Sequence, residues 1–255
     1  MNIRFSPYFL LLLIFLTPSG KAWAQQSSTL EIISADLLQG ASGFERLLGA
    51  VKMKHQNSLI YCDSAHFYRG ENRAQLFGRV RIEDEKDPIT TKSSYAEYDG
   101  NTKIAKLRKN VVFTNQKTTL YTQFLDYNRE TNVANYFDDG KVVDSVNVLT
   151  SKTGIYEINY ERISFQQDVV LVNPDYTLKT NDLIYLTVPK TAQTQGLTNI
   201  VSKEGYNLDA QSGSLYDTQK KQFRFFDGIV ENEDSRIKAD ELFYDDSTAV
   251  FFSVC

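Results

Sequence analysis

The stretch SSYAEYDGNTKIAKLRKNVVF, residues 93–113, contains the pattern that decides the fold of this chain. A Tyr precedes a polar turn, an apolar residue follows nine positions after the Tyr, and a Val comes a few positions later. Polar and apolar residues alternate around the turn, as they do in half-buried strands. The Asp-Gly and Asn residues between them favour a chain reversal. The stretch therefore predicts two short antiparallel strands.

The same unit recurs along almost the whole sequence, with 28 to 31 residues between equivalent Tyr positions. Because one such unit cannot bury its apolar face alone, neighbouring units must stack on each other. About eight repeats of two strands predict an elongated, all-β stack of about 16 short antiparallel strands. The repeated positions are Leu38, Tyr68, Tyr98, Tyr127, Tyr156, Tyr185, Tyr216 and Tyr244.

Three further columns of mostly apolar residues keep step with the Tyr column and predict one continuous core. Seven residues before the Tyr lie Tyr61, Thr91, Leu120, Leu149, Leu178 and Ile237. Nine residues after it lie Leu47, Phe77, Leu107, Tyr136, Phe165 and Phe225. The Val column comprises Val51, Val80, Val111, Val142, Val169, Val201 and Val230, often with Gly or Asn just before the Val.

The sixth repeat departs from this pattern. Thr194 occupies the position at which the other repeats have a large apolar residue, and Pro189 cannot donate a ladder hydrogen bond. This segment predicts a protruding loop or a break in one edge.

Residues 1–24 have the features of a leader rather than of the fold. Arg4 precedes the apolar run Tyr8 to Leu16, and Ala22-Trp23-Ala24 matches a small-x-small cleavage site. The run is short for a membrane span, although an uncleaved anchor is the alternative. We predict a signal peptide over 1–24 and a repeat domain over 25–255 whose last repeat is incomplete.

Composition argues against nucleic acid as a partner, because the net charge is −4 and such binding depends on basic residues. Cys62 and Cys255 are the two cysteines. In an oxidising compartment they are candidates for a disulfide, and the alternative is that Cys62 is simply a small strand residue.

Candidate catalytic and metal-ligating residues are sparse. The two histidines, His55 and His66, show no metal-ligand spacing, so we predict no metal, no cofactor and no catalytic residue. The carboxylate pairs Asp138-Asp139 and Asp245-Asp246 and the run 83–87 raise the possibility of glycoside cleavage. We assign them instead to the turns between strands, where Asp is favoured.

The repeated unit resembles the OstA-like (LptA) family of lipopolysaccharide-transport proteins. The resemblance rests on Ala35-Asp36, Phe77-Gly78-Arg79-Val80, Ala239-Asp240 and the Tyr column, and covers about residues 30 to 252. Lys92, Tyr121 and Thr150 depart from the small-acidic pair expected in the middle repeats. The resemblance implies a V-shaped β-jellyroll whose apolar interior carries the acyl chains of lipopolysaccharide.

That resemblance implies a non-enzymatic periplasmic protein that binds lipopolysaccharide and acts with other lipopolysaccharide-transport proteins. An open β stack also presents unpaired strand edges, which pair readily with another chain. The apolar C-terminal strand Ala249 to Val254 therefore predicts pairing with a like strand of another copy, head to tail, or with an edge strand of a transport partner. The apolar columns give the predicted lipid-contacting residues, which are Leu120, Leu125, Tyr127, Phe165, Leu178, Tyr185 and Phe225.

Two other functions are compatible with a β-repeat chain. An extracytoplasmic β-solenoid enzyme acting on polysaccharide should interrupt its repeat with unmatched charged residues, whereas 189–195 contains only Lys190 as a charge. A structural or adhesive repeat protein should have a closed, well-filled interior.

Overall fold

The structure is a computed structural model that describes residues 29–116, 118–144, 146–245, 248 and 250–254, the last by its backbone alone. The predicted leader, the first residues of the predicted mature domain, Asp246 and Cys255 lie outside the described residues. The described chain forms one continuous antiparallel sheet of twenty strands.

The strands follow one another along the chain with short connections. Their bounds are β1 Glu31–Ser34, β2 Leu37–Ala41, β3 Phe44–His55, β4 Ser58–Tyr68, β5 Arg73–Asp84, β6 Ile89–Asp99, β7 Ile104–Asn115, β8 Thr118–Asn128, β9 Val133–Val143, β10 Val148–Ser151, β11 Thr153–Glu157, β12 Arg162–Val172, β13 Tyr176–Leu186, β14 Thr191–Thr194, β15 Thr198–Ser202, β16 Asn207–Ala210, β17 Ser214–Asp217, β18 Gln222–Glu231, β19 Arg236–Asp245 and β20 Val250–Val254.

Four pairs of these strands are the two halves of one interrupted strand. The pairs are β1 with β2, β10 with β11, β14 with β15, and β16 with β17, and both members of each pair bond to the same neighbouring strand or strand pair. Counting each pair once leaves sixteen strands in an antiparallel meander. This arrangement confirms the predicted all-β stack of about sixteen strands.

A β-bulge bends the long strands near their middle. At the bulges of β3, β5, β7, β9 and β12 the pairing register shifts, and two successive residues adopt positive φ. Such a bulge leaves an extra residue unpaired and bends the strand. The two halves of the sheet therefore fold toward each other about the line of bulges. The residue pairs are Gly49-Ala50, Gly78-Arg79, Lys109-Asn110, Asp138-Asp139 and Gln167-Asp168.

The assignment of Asp138-Asp139 to a turn between strands is therefore wrong. Both residues lie within β9 at its bulge, with φ values of 65° and 71°. Asp tolerates the left-handed region better than most residues, so the same residue type suits a turn and a bulge. By contrast, Asp84 lies at the end of β5, where its Oδ1 accepts hydrogen bonds from the backbone N–H groups of Lys86 and Asp87 in the turn.

Small hydroxyl residues line the inside of the bend. Ser93, Thr122, Ser151 and Thr180 are all buried. Each donates a hydrogen bond to a nearby backbone carbonyl, as Ser93 does to Tyr95 (2.9 Å) and Thr122 to Asp139 (2.7 Å). A small side chain fits where the strand turns sharply, and its hydroxyl satisfies a carbonyl that the bulge removes from the ladder.

The predicted columns are one residue out of register in the second repeat. Ile60, Phe67 and Leu76 are buried there, whereas the predicted Tyr61, Tyr68 and Phe77 lie on the outer face. Phe67 and its true equivalent Tyr98 are 31 residues apart, one more than the Tyr spacing suggests. A shift of one residue moves a side chain to the opposite face of a strand.

Leu38, Val201 and Ile237 also belong to the predicted columns, and all three are exposed. Val142 and the column tyrosines Tyr156, Tyr185, Tyr216 and Tyr244 are partly buried and pack against the core. The inward positions are Gly140 after the bulge of β9, Thr198 after the break before β15, and Gly228 after Asp227, a residue of β18 with positive φ.

The break in the sixth repeat lies inside the sheet rather than at an edge. Pro189 is in the turn between β13 and β14, and residues 195–197 separate β14 from β15. Thr194 remains buried, and its hydroxyl lies 3.0 Å from that of Ser214 and 2.7 Å from that of Thr198. Thr180 joins the same hydroxyl group, so the polar atoms that replace the expected apolar residue are hydrogen bonded.

Candidate functional site

The interior between the two halves of the sheet is the candidate site. Its buried apolar side chains extend from Leu47 in β3 to Leu242 in β19 without a gap in the core cluster. Side chains of opposite halves meet there, as the edge-to-face rings of Phe113 and Tyr127 show at a centroid distance of 5.5 Å. The interior is therefore one long apolar core.

The structure places the predicted lipid-contacting residues on the inner face. Leu125 and Tyr127 belong to one half of β8, and Leu120 belongs to its other half. Phe165 lies four strands further on, and Phe225 lies near the C-terminal end of the stack. All of the predicted residues are buried except Tyr185, which is partly buried; the buried ones are Leu120, Leu125, Tyr127, Phe165, Leu178 and Phe225.

The outer edges of the two halves approach each other along a line that we call the mouth. One side of the mouth, the first rim, consists of the turns at 69–72, 100–103, 129–132, 158–161, 187–190 and 218–221. The second rim consists of the turns at the opposite strand ends, including 56–57, 85–88, 173–175, 203–206 and 232–235.

Three contacts between polar side chains, which we call clasps, close the mouth over the N-terminal part of the stack. His55 Nδ1 and the Tyr98 hydroxyl share a buried hydrogen bond of 2.7 Å. Arg129 forms an ion pair with Asp84, and Asn115 Nδ2 donates to the Tyr156 hydroxyl at 2.8 Å. Sequence reasoning missed these clasps, although the second-rim residues His55, Asp84 and Asn115 are spaced by 29 and 31 residues, the period of the repeat.

Removing the Tyr98 hydroxyl should weaken one clasp measurably. We expect Tyr98→Phe to lower the free energy of unfolding by about 1–2 kcal/mol, because the variant loses the buried hydrogen bond between Tyr98 and His55. Tyr95→Phe in the same strand is the control, since its hydroxyl donates to Glu97 at the surface, and we expect about 0.5 kcal/mol or less. Urea denaturation of both variants checks the difference, and equal losses would contradict the clasp.

Burial controls the protonation of the polar groups inside. It raises the pKa of Tyr98 and Tyr127, and raises that of Tyr136 to about 12. It also raises the pKa of the Cys62 thiol to about 12, so this thiol is a weak nucleophile at neutral pH. The interior thus favours uncharged groups, as expected of an apolar environment. No group of three or more potential metal ligands occurs among the described residues.

The mouth opens into a cavity of about 300 Å³ in the C-terminal part of the stack. Phe225 is the only member of the predicted set that lines it. A second depression of about 750 Å³ lies along the bulges near Asp138, Asp139 and Lys152. Lys152 pairs with Asp139 there at 2.8 Å, with both side chains largely exposed.

Both ends of the stack present strand edges. At the N-terminal end, β1 and β2 carry the exposed side chains Ile33, Leu37 and Leu38. At the C-terminal end, β20 pairs with residues 241–245 of β19, so residues 236–240 have no strand beside them on that side within the described part of the chain. None of the helical segments among the described residues has the length and apolarity needed to span a membrane.

Comparison with solved structures finds a chain that aligns with part of this one. It is a crystal structure of LptH, described as the LptA-homologous periplasmic component of the conserved lipopolysaccharide transport device from Pseudomonas aeruginosa. The two chains are 17% identical with a TM-score of 0.40, and the alignment covers 42% of this chain and 81% of LptH. A search of curated proteins finds no match.

Comparison with protein families identifies one match. The sequence profile of the OstA-like protein family matches residues 28–182, which is more than half of the 255 residues and includes β1 to β12. The matched region contains the column positions from Leu38 to Tyr156, the bulges and all three clasps. This chain therefore belongs to the OstA-like protein family.

Proposed function

We propose that this protein is a non-enzymatic lipopolysaccharide-binding component of a transport system in the periplasm, reached after removal of residues 1–24. The observation that carries the proposal is the unbroken apolar interior of an OstA-like stack, which extends from β3 to β19. In this function the acyl chains occupy the interior, in contact with Leu120, Leu125, Tyr127, Phe165, Leu178, Tyr185 and Phe225.

The energetics of such a site favour lipid transport. Removing one methylene group from water contributes about 0.8 kcal/mol, so a dozen shielded methylenes contribute roughly 10 kcal/mol before any cost is subtracted. Because the interior repeats along the stack, a chain that moves by one repeat meets a similar environment. A site of this kind holds a lipid out of water without fixing it in one place.

Lipid entry requires the interior to open, because the side chains already fill it over most of its length. Leu107 and Leu125 have no measurable exposure to solvent. We propose that loading separates the two rims and breaks the clasps, so that acyl chains replace contacts between the two halves. The cost of breaking three polar contacts is then offset by burial of the lipid.

The strand edges supply the proposed protein contacts. An exposed edge bonds readily to a strand of another chain. We propose that β20 and the free part of β19 pair with β1 and β2 of a second copy, or with an edge strand of another lipopolysaccharide-transport protein. Such pairing would join two interiors end to end and would cover Ile33, Leu37 and Leu38.

Site-specific photocrosslinking in cells tests the proposed lipid site. We expect a photoreactive residue at Phe165 to crosslink to lipopolysaccharide, because its side chain points into the interior. The matched control is Gln166, the next residue of β12, whose side chain is exposed on the outer face. Immunoblotting for lipopolysaccharide should detect an adduct at Phe165 and none at Gln166. An adduct at both positions, or at neither, would contradict the interior as the site.

A structural or adhesive repeat protein is a second candidate function. The well-filled interior of the N-terminal part of the stack favours it, since such a protein needs no space for a ligand. The same crosslinking experiment separates the two, because a purely structural stack gives no adduct at Phe165 while remaining folded and present in normal amount.

A further inference from the structure

The outer face of the sheet carries the depression of about 750 Å³, which we call the outer depression. It follows the bulges of β7, β9 and β12 and crosses the strands between them. Tyr121 lies in β8 between the buried residues Leu120 and Thr122, so its side chain points away from the interior. The volume lies within the usual range of ligand sites.

Four side chains that line the outer depression make no hydrogen bond or ion pair within the described part of the chain. Tyr121 and Lys141 are register partners on β8 and β9, and both are exposed. Asp138 and Asp168 belong to the bulges of β9 and β12 and are exposed as well. Their polar groups, together with the Tyr121 ring, are therefore free to contact a ligand.

The two aspartates occupy positions at which the backbone favours glycine. Asp138 and Asp168 have φ values of 65° and 52°. The bulges of β3 and β5 use Gly49 and Gly78 for such a conformation. Glycine adopts it without the steric cost that a side chain brings. The bulges thus need no carboxylate for their geometry, and the carboxylates are available for another role.

The lining favours a neutral ligand that is rich in hydroxyl groups. Three carboxylates and two ammonium groups leave the outer depression with a charge of −1, which favours neither a polyanion nor a polycation. A sugar hydroxyl donates to a carboxylate and accepts from an ammonium group. The C–H surface of a sugar ring packs against an aromatic ring. The charged residues are Asp138, Asp139, Asp168, Lys141 and Lys152.

We propose that the outer depression binds a neutral glycan, with one sugar ring against Tyr121 and its hydroxyl groups bonded to Asp138, Asp168 and Lys141. This inference goes beyond the proposed function, which assigns the acyl chains to the interior and uses none of these side chains. Two sources share the required chemistry: the saccharide part of lipopolysaccharide, and glycans that are not attached to a lipid.

A glycan array probed with the purified full chain tests the proposal and separates the two sources. One set contains the deacylated and dephosphorylated saccharide of lipopolysaccharide. The other contains linear oligosaccharides of glucose, mannose, galactose and N-acetylglucosamine. We expect binding to at least one set, which identifies the source, and calorimetry then gives the Kd of the tightest ligand. Binding to no member of either set would overturn the proposal.

Replacing the aromatic ring tests the proposed stacking contact. We expect Tyr121→Ala to bind that ligand about 10-fold more weakly, because the sugar ring loses its apolar surface. The matched control is Tyr61→Ala. Tyr61 lies on the same outer face in β4, away from the outer depression, so its loss should leave the affinity unchanged. A folded Tyr121→Ala variant with native affinity would overturn the proposal.

A glycine variant separates ligand contact from bulge structure. We expect D138G/D168G to bind the ligand at least about 10-fold more weakly, because two charged acceptors are lost. Its urea midpoint should be no lower than that of the native chain, since glycine suits both positions. Ala50→Gly makes the same kind of change at the bulge of β3, outside the depression, and should leave the affinity unchanged. Native affinity in D138G/D168G, or a lowered urea midpoint, would contradict the proposed role of the two aspartates.

Discussion

Replacing Arg129 with Met is expected to lower the free energy of unfolding by about 3–5 kcal/mol, the usual cost of removing one partner of a buried ion pair. The side chains of Arg129 and Asp84 are only 10% and 11% exposed. Burial also lowers the pKa of Arg129 to about 10, which shows how poorly its surroundings replace water. Without the guanidinium, the Asp84 carboxylate remains in the mouth with no charge to compensate it.

Two controls distinguish two costs in stability. One is the cost of leaving the buried Asp84 carboxylate without its ion-pair partner, and the other is the cost of replacing a long charged side chain with Met. Lys54→Met removes an ion pair with Glu85 on the same rim, but both partners are about two-fifths exposed, so we expect a cost of about 1 kcal/mol or less. Asp84→Asn added to Arg129→Met removes the stranded charge and keeps the oxygen that caps the turn, so it should restore much of the stability. Urea denaturation measures all of these. An Arg129→Met variant no less stable than Lys54→Met would contradict the assignment.

The same variants bear on lipid loading. If the rims must separate before lipid enters the interior, then Asp84→Asn/Arg129→Met has a weaker clasp at little cost in stability. Its mouth should open more often than that of the native protein, because the energy difference between closed and open states is smaller. Loading would then be faster, whereas loss of a lipid contact would make it slower or weaker.

The fold could be predicted because the repeat itself encodes it. Alternation around the Tyr column and the polar turns predicted the strands, and the recurrence predicted that they stack. The register inside each repeat was harder. Alignment on Tyr68 failed because that repeat is one residue longer. Phe67 and Tyr68 are both aromatic, so either fits the repeated pattern, but only Phe67 is buried.

The clasps and the cavity could not be predicted in the same way. A clasp joins residues 41 to 45 positions apart, such as Asn115 with Tyr156 and Asp84 with Arg129, so it skips the neighbouring repeat unit. Its partners also differ in chemical type at each repeat, which hides them from a search for similar residues. The cavity depends on how two rims that are not adjacent in sequence approach each other.

The glycines of the interior were also not predicted from the sequence. They leave space for a large neighbouring side chain, and this effect on the core can be tested. Tyr136 stands in a column that has Leu47, Leu76 and Leu107 in the earlier repeats. It fits because two of its neighbours are glycines: a Cβ added at Gly154 or Gly140 would lie 2.3 Å from the Tyr136 ring. Gly154 is also the register partner of Tyr136 across β9 and β11.

Gly154→Leu should therefore destabilise the protein by about 3 kcal/mol, the upper end of the usual cost of overpacking a core. Tyr136→Leu in the same chain should restore most of this loss, because the two leucines then reproduce the register pair Leu107 and Leu125 of β7 and β8. Ser151 loses the Tyr136 hydroxyl in that variant but still donates to the Thr153 carbonyl at 3.0 Å.

A double-mutant cycle measured by urea denaturation checks this coupling. Gly40→Leu is the control for the loss of a strand glycine, since nothing lies within 4 Å of a Cβ added there, and its effect should stay within about 0.5 kcal/mol. Additive effects of Gly154→Leu and Tyr136→Leu would mean that the backbone conformation requires the glycine, and not the space that the Tyr136 ring occupies. A strong coupling would mean that the size of Tyr136 depends on the small size of its register partner Gly154. The width of the interior would then be determined within each repeat, by its own pair of large and small residues.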